Sequence, residues 1–225
     1  MPTIHPLKVV HIESLTPSII QLLLKPDFPT PYVSGDYIML GFDSAELKPF
    51  SIASAPREDG LIECHIRIES NSEWMQEVAN LEVGDQLIME SPKEQLVLQP
   101  SHQPIILMAG GTGFSAIKAI LETLIKEHAA IPIHLYWGAG SVEGLYMHKE
   151  MLALSQSHPN LEYIPVISKE TDQWNGLKGL VHQQVLQQHP SLTHFTVYMC
   201  GPWPMITQAK SDFIAAGLQP NACIH

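Results

Sequence analysis

One junction constrains this chain more than any other. The unbroken apolar run Ile105-Ile106-Leu107-Met108-Ala109 leads into Gly110-Gly111-Thr112-Gly113, and apolar residues then recur at Ile117, Ile120, Leu121, Leu124 and Ile125. A run without polar interruption suits a strand buried on both faces. The i, i+3, i+4, i+7, i+8 spacing that follows is one side of an amphipathic helix. Strand, glycine turn and helix open a β-α-β unit, which calls for a parallel sheet with helices on both faces. The rest of the chain keeps that alternation. Strands are expected at 133–137 (ending in Gly138-Ala139-Gly140), 161–167 and 195–200, and helices at 145–157, 180–188 and 205–216.

The first part has another rhythm. Short apolar, β-branched runs at 7–15 and 18–25 flank the turn signal Thr16-Pro17, and further strands are expected at 36–42, 61–68 and 85–91. From Ile62 to Ile68 apolar and polar residues alternate, the mark of a half-buried strand. One short helix is predicted over 72–81, with Ser72 as its N-cap. Many short strands and one helix suggest a small closed barrel. The boundary falls at about residue 100, giving two domains, 1–99 and 100–225, within the size range of small domains.

The formal net charge of −11, with only 12 Lys and Arg, argues against nucleic acid, whose phosphates need clustered cations. No apolar run is long enough to span a bilayer and no basic amphipathic stretch suggests a membrane surface, so a cytoplasmic location is expected. Cys64, Cys200 and Cys223 are scattered and odd in number, as for reduced thiols, and the 12 histidines form no metal-binding spacing. Met39, Met89 and Met108 read as core residues, and Trp74 and Trp174 as isolated aromatics.

Gly111-Thr112-Gly113-Phe114-Ser115-Ala116 fits G-x-G-x-x-A between strand and helix. Glycines there let the backbone approach a pyrophosphate, and the helix start offers unpaired N–H groups. The acidic residue expected about 20 positions on, to hold a ribose, is missing from the end of the next strand. An ordinary Rossmann dehydrogenase is therefore not indicated.

Three segments carry a resemblance: Lys48-Pro49-Phe50-Ser51-Ile52-Ala53-Ser54, the turn from Leu107 to Phe114, and Tyr198-Met199-Cys200-Gly201-Pro202, with Tyr136-Trp137-Gly138 as a weaker fourth. In this order and spacing they resemble the ferredoxin–NADP reductase superfamily, most closely its NAD(P)H:flavin reductase branch. The resemblance implies an antiparallel Greek-key β-barrel for the flavin followed by a Rossmann-like parallel α/β domain for the nicotinamide nucleotide. Lys48, Pro49, Phe50, Ser51 and Ile52, with His65 and Ile66, would bind the flavin (FMN, FAD or riboflavin). Ser51 would lie near N5, the atom that accepts hydride. Gly110, Gly111, Thr112, Gly113, Phe114 and Gly138 would hold NADH or NADPH, and Cys200, Gly201 and Pro202 would flank its nicotinamide. Ser51 and Cys200 are the expected catalytic residues. Hydride would pass directly between two stacked rings, one from each domain, with no metal.

Three departures bear on that expectation. Lys48 replaces an Arg, exchanging a bidentate fork for a point charge. The segment Ile66-Arg67-Ile68-Glu69-Ser70-Asn71-Ser72 lacks the glycine of the family's phosphate-binding turn and brings in Glu69. Both favour a weakly held or diffusible flavin. The sequence stops at Asn221-Ala222-Cys223-Ile224-His225, where a last strand should begin. The 138–144 loop has no cation for a 2′-phosphate, and Glu143 would repel one, which favours NADH. The expected activity is flavin reduction on behalf of a monooxygenase or another acceptor such as a ferric chelate. Alternatives are a flavin-bound reductase subunit of a multicomponent system and a non-catalytic nucleotide-binding subunit.

Overall fold

A computed structural model describes residues 4–68, 72–127, 130–169 and 174–225. Glu69, Ser70 and Asn71, on which the altered phosphate turn was read, lie outside the described residues. The chain forms two compact units: Met1–Leu98 with Lys118–Thr123, and Gln99–Ile117 with Leu124–His225.

The first unit is an antiparallel sheet of β1 (Ile4–Thr16), β2 (Ile19–Pro26), β3 (Tyr37–Gly41), β4 (Lys48–Ser51), β5 (Ile62–Arg67) and β6 (Gln86–Glu90). The strand order is β4-β3-β6-β1-β2-β5. Its two edges meet: Ile52 bridges Cys64, and the Ala53 amide donates to the Glu63 carbonyl at 2.7 Å. The sheet is thus closed into a barrel, leaving no free edge there. Leu7, Val9, Leu22, Leu24, Ile38, Leu40, Ile62 and Ile66 fill the core. The short helix α1 (Glu73–Ala79) begins as the sequence indicates, with the Ser72 hydroxyl accepting from the Met75 amide.

The second unit is a parallel sheet of β7 (Ile105–Gly110), β8 (Ile133–Ala139), β9 (Leu161–Ile167), β10 (Leu177–Lys178), β11 (Thr196–Cys200) and β12 (Cys223–Ile224), in the order β10-β9-β8-β7-β11-β12. The helices are α2 (Phe114–Lys126), α3 (His148–Ser157), α4 (Val181–Gln188) and α5 (Trp203–Ala215). All six residues of β7 are buried, as its unbroken apolar run requires. Ile106 and Met108 pack with Val181 and Val185 of α4 and with Ile206 and Phe213 of α5. The last strand is present as Cys223–Ile224, paired to Val197 and Tyr198 of β11. The winding direction of the sheet reverses between β7 and β11. In open α/β sheets ligands bind beyond the carboxyl ends of the strands at such a point.

Candidate functional site

At the carboxyl ends of β7 and β11 the backbone is crowded. A Cβ on Gly113 would lie 2.5 Å from the Cys200 carbonyl carbon and 2.6 Å from the Gly201 nitrogen. Only glycine lets the turn after β7 close against the end of β11. On the other flank, a Cβ on Gly138 would meet the Val181 Cβ at 2.8 Å, so the end of β8 touches the start of α4. These approaches leave a cavity of about 450 Å³ floored by Gly110, Gly111 and Gly138, with Ser168 at the end of β9, the start of α4 and the start of α5 as its sides. Among the described residues its wall contains no Lys, Arg, Asp or Glu.

The cavity takes in some of the expected nucleotide residues and leaves others out. Gly110, Gly111, Gly138 and Pro202 form part of its wall. Thr112, Gly113, Cys200 and Gly201 are half-buried outside that wall. The expectation for Phe114 is corrected at the side chain. Its ring is fully buried, stacked on Trp137 at 3.7 Å between centroids, because the helix start turns it into the sheet-facing core. Sequence reasoning missed the contribution of α4, since Leu180, Val181 and His182 read only as a helix start. His182 Nε2 lies 3.4 Å from Asp212 Oδ2, while its buried Nδ1 has no hydrogen-bond partner. Burial pushes the imidazole below its ordinary value against the pull of Asp212. Lys169 was also missed: a Cβ on Gly140 would meet its Cε at 3.9 Å, so a cation from the end of β9 reaches the loop after β8.

In the first unit the two-residue period of a strand divides the flavin motif. Pro49 and Ser51 pair with Met39 and Tyr37 of β3, and these four with Gln95 line an open depression of about 510 Å³. Met39 therefore belongs to this surface rather than to the core. Lys48 and Phe50 pair with the core residues Leu40 and Ile38 and point the other way. There Phe50 stacks on Trp74 at 5.6 Å, Lys48 sits 4.8 Å over the same indole, and its ammonium is 3.1 Å from Glu46. Trp74 is thus a hub rather than an isolated aromatic, and Lys48 already has two partners. Ile52 and Ile66, expected at the flavin, have side chains fully buried in the barrel core. His65 is likewise corrected at the side chain, which is buried and bonded through Nε2 to Glu63 Oε1 at 2.8 Å.

Glu63 gathers several donors. Lys118 Nζ reaches its Oε1 at 3.1 Å and the Ala53 carbonyl at 2.9 Å, and Gln21 donates at 2.8 Å. Glu122, one helical turn beyond Lys118, pairs with it and accepts from the Ala55 amide. Burial alone would push the Glu63 carboxyl up. The hydrogen bond from His65 and the charge of Lys118 overcome burial and hold it below the ordinary carboxylate range. His65 itself is pushed down by burial and stays neutral. The network fixes the backbone just after Ser51, and so orients the motif without touching its open face.

The oxidoreductase NAD-binding domain matches residues 107–211. The chain is 33% identical over 213 residues to the NAD(P)H-flavin reductase of Vibrio harveyi, covering 92% of this chain and 90% of that one. The chain belongs to the flavin reductase branch of the ferredoxin–NADP reductase superfamily. Another relative is the CDP-6-deoxy-L-threo-D-glycero-4-hexulose-3-dehydrase reductase of Yersinia pestis, 36% identical over 205 residues. The flavin reductase-like chain spans 91% of itself but only 62% of that protein's length. The fold of the family is shared with the ferredoxin reductase in carbazole 1,9a-dioxygenase, with a TM-score of 0.87, 21% identity, and coverage of 98% and 68% of the two chains. It is shared too with a ferredoxin NADP+ reductase from Neisseria gonorrhoeae, with a TM-score of 0.83, 17% identity, and coverage of 96% and 93%. Among the described residues no helix is long and apolar enough to cross a membrane.

Proposed function

We propose that this chain is an NAD(P)H:flavin oxidoreductase that passes hydride from a nicotinamide nucleotide to a diffusible flavin. The observation that carries the reading is the glycine-floored cavity at the carboxyl ends of β7 and β8. Glycine floors admit a backbone-bound phosphodiester closely. The nicotinamide supplies hydride and the flavin accepts it, so no covalent residue is needed. The chain's task is to hold the two rings at a near-attack separation of about 3–3.5 Å and to keep water out.

Ser51 presents its hydroxyl on the open face of β4, where it can donate to charge that develops on the reduced ring. Cys200, half-buried at the end of β11, is read as a neighbour of the nicotinamide rather than a reactant. Lys48 is engaged by Trp74 and Glu46, which leaves the flavin phosphate without its usual cation and supports weak retention. Exposed Glu143 favours NADH, but Lys169 beside Gly140 offers a 2′-phosphate a counter-charge; we infer that both dinucleotides are accepted.

A second reading, a flavin-bound reductase component serving a partner enzyme, is favoured by the likeness to the dehydrase reductase of Yersinia pestis. The test is NADH and NADPH oxidation at 340 nm with and without FMN, FAD or riboflavin, on protein whose visible spectrum is recorded. Colourless protein active only with added flavin supports the first reading. Yellow protein reduced by NADH alone supports the second. No oxidation under any condition overturns both and leaves a nucleotide-binding subunit.

A further inference from the structure

Beyond Ser51 the flavin motif continues through Ile52, Ala53, Ser54 and Ala55, all of them buried. Strand β4 has ended, yet every buried backbone group still needs a partner. The Ile52 amide donates to the Asp36 carbonyl at 2.9 Å, and the Ala53 amide to the Glu63 carbonyl at 2.7 Å. Side chains meet the groups that follow. The Ala53 carbonyl accepts from Lys118 Nζ at 2.9 Å, and the Ala55 amide donates to Glu122 Oε2 at 2.9 Å. The Tyr32 hydroxyl donates to the Ala55 carbonyl at 3.0 Å.

Two of these partners work as a pair, and both belong to the first unit. Lys118 and Glu122 stand four residues apart on α2, which puts their Cβ atoms about 5–6 Å apart on one face. Ala53 and Ala55 are two residues apart, a span of at most about 7 Å, so one helical turn can grip both. Lys118 is 6% exposed, with oxygens of Ala53, Glu63 and Glu122 at 2.9, 3.1 and 2.6 Å from its Nζ. An ammonium has three donors, and three oxygens take them up. Lys118 therefore acts on backbone and carboxylates, not on a ligand. We propose that Lys118 and Glu122 are positioning residues for hydride transfer, which clamp the Ala53 carbonyl and the Ala55 amide and so fix the segment from which Ser51 presents its hydroxyl. The proposal rests on the reductase reading above. A reacting group misplaced by 1 Å costs on the order of 10²-fold in rate, so the clamp bears on kcat rather than on binding.

The test uses three variants. Lys118→Met removes the clamp on Ala53 but also strips Glu63 of its cation, so its folding is checked by thermal unfolding. Glu122→Ala keeps that cation and, at a side chain 37% exposed, frees only the Ala55 amide. Glu122→Gln retains an oxygen for that amide. Hydrogen exchange of the peptide covering 49–56, read by mass spectrometry, should be about tenfold faster in Glu122→Ala and close to parental in Glu122→Gln. Stopped-flow NADH oxidation with riboflavin should show kcat lowered about tenfold in Glu122→Ala and about 10²-fold in Lys118→Met, with both KM values within twofold and Glu122→Gln near the parent. With Ser51 already replaced by Ala, Glu122→Ala should lower kcat less than threefold, because the group it aims is gone. A merely structural role would cost the same in either background. Parental exchange or parental kcat in Glu122→Ala overturns the proposal, as does an undiminished tenfold loss in the Ser51→Ala background. Faster exchange in Glu122→Ala of a protein that oxidises neither NADH nor NADPH would uphold the clamp and overturn the reductase reading instead.

Discussion

Replacing Gly113 by Ala tests the crowding that shapes the nucleotide end of the sheet. The added methyl would sit 2.5 Å from the Cys200 carbonyl carbon, about 0.9 Å inside the 3.4 Å at which ordinary contact begins. The obstructing atoms are backbone, and Cys200 is held in register with Ala109 of β7, so they cannot swing aside as a side chain could. Relief must come from the turn itself moving by about 1 Å. A misplacement of that size costs on the order of 10²-fold in rate, and forced overpacking about 1–3 kcal/mol in stability. In a chain of this length that stability loss lowers the melting temperature by roughly 3–10 °C. The assay is kcat/KM for NADH with saturating riboflavin, beside thermal unfolding. Gly140→Ala is the matched control for unfolding, since among the described residues its added Cβ would meet only Lys169 Cε at 3.9 Å, and it should melt within about 1 °C of the parent. A Gly113→Ala protein with kcat/KM within threefold of the parent and an unchanged melting temperature would refute the reasoning.

Further expectations address the first unit and cofactor choice. Ser51→Ala should lower kcat about 10²-fold with little change in the flavin KM, measured by stopped-flow oxidation of NADH; a change confined to KM would remove Ser51 from the reaction. Glu63 titrates below its ordinary 4.5 in the fold, so its contribution to stability is complete above that pH and is lost as the pH falls. Buried neutral His65 adds to the loss on the acid side. Urea titrations from pH 7 to pH 3 should show Glu63→Gln less stable at neutral pH and flatter in its acid limb; a limb as steep as the parent's would show that Glu63 is not the group responsible. Trp74→Ala removes the stack on Phe50 and should cost about 3–5 kcal/mol in the same urea assay, whereas a cost under 1 kcal/mol would deny its role as a hub. Lys169→Ala should reduce kcat/KM for NADPH more than for NADH, and an equal effect on both would remove Lys169 from the 2′-phosphate.

Sequence alone decided the architecture, because both periodicities are local. The unbroken run at 105–109 marks a strand dry on both faces whatever it later pairs with, whereas the alternation in 62–68 marked a strand but not its burial, since Glu63 and His65 on its polar face are buried too. The glycine turn was legible as a turn, but only Gly111, with a φ of 54°, needs glycine for its own backbone, while Gly113 needs it because the end of β11 lies against it. What the sequence could not give is how the motifs point. Lys48, Pro49, Phe50 and Ser51 are consecutive letters, and only the pairing of β4 with β3 sends Pro49 and Ser51 to one face and Lys48 and Phe50 to the other. His65 looked like a ligand contact until Glu63 and Lys118, the latter 53 positions on in the sequence, were found around it. Leu180 and His182 carried no signal at all, since they reach the cavity wall only through the packing of α4 beside the glycine floor. Local patterns fix elements; long-range packing decides which of their atoms share a surface.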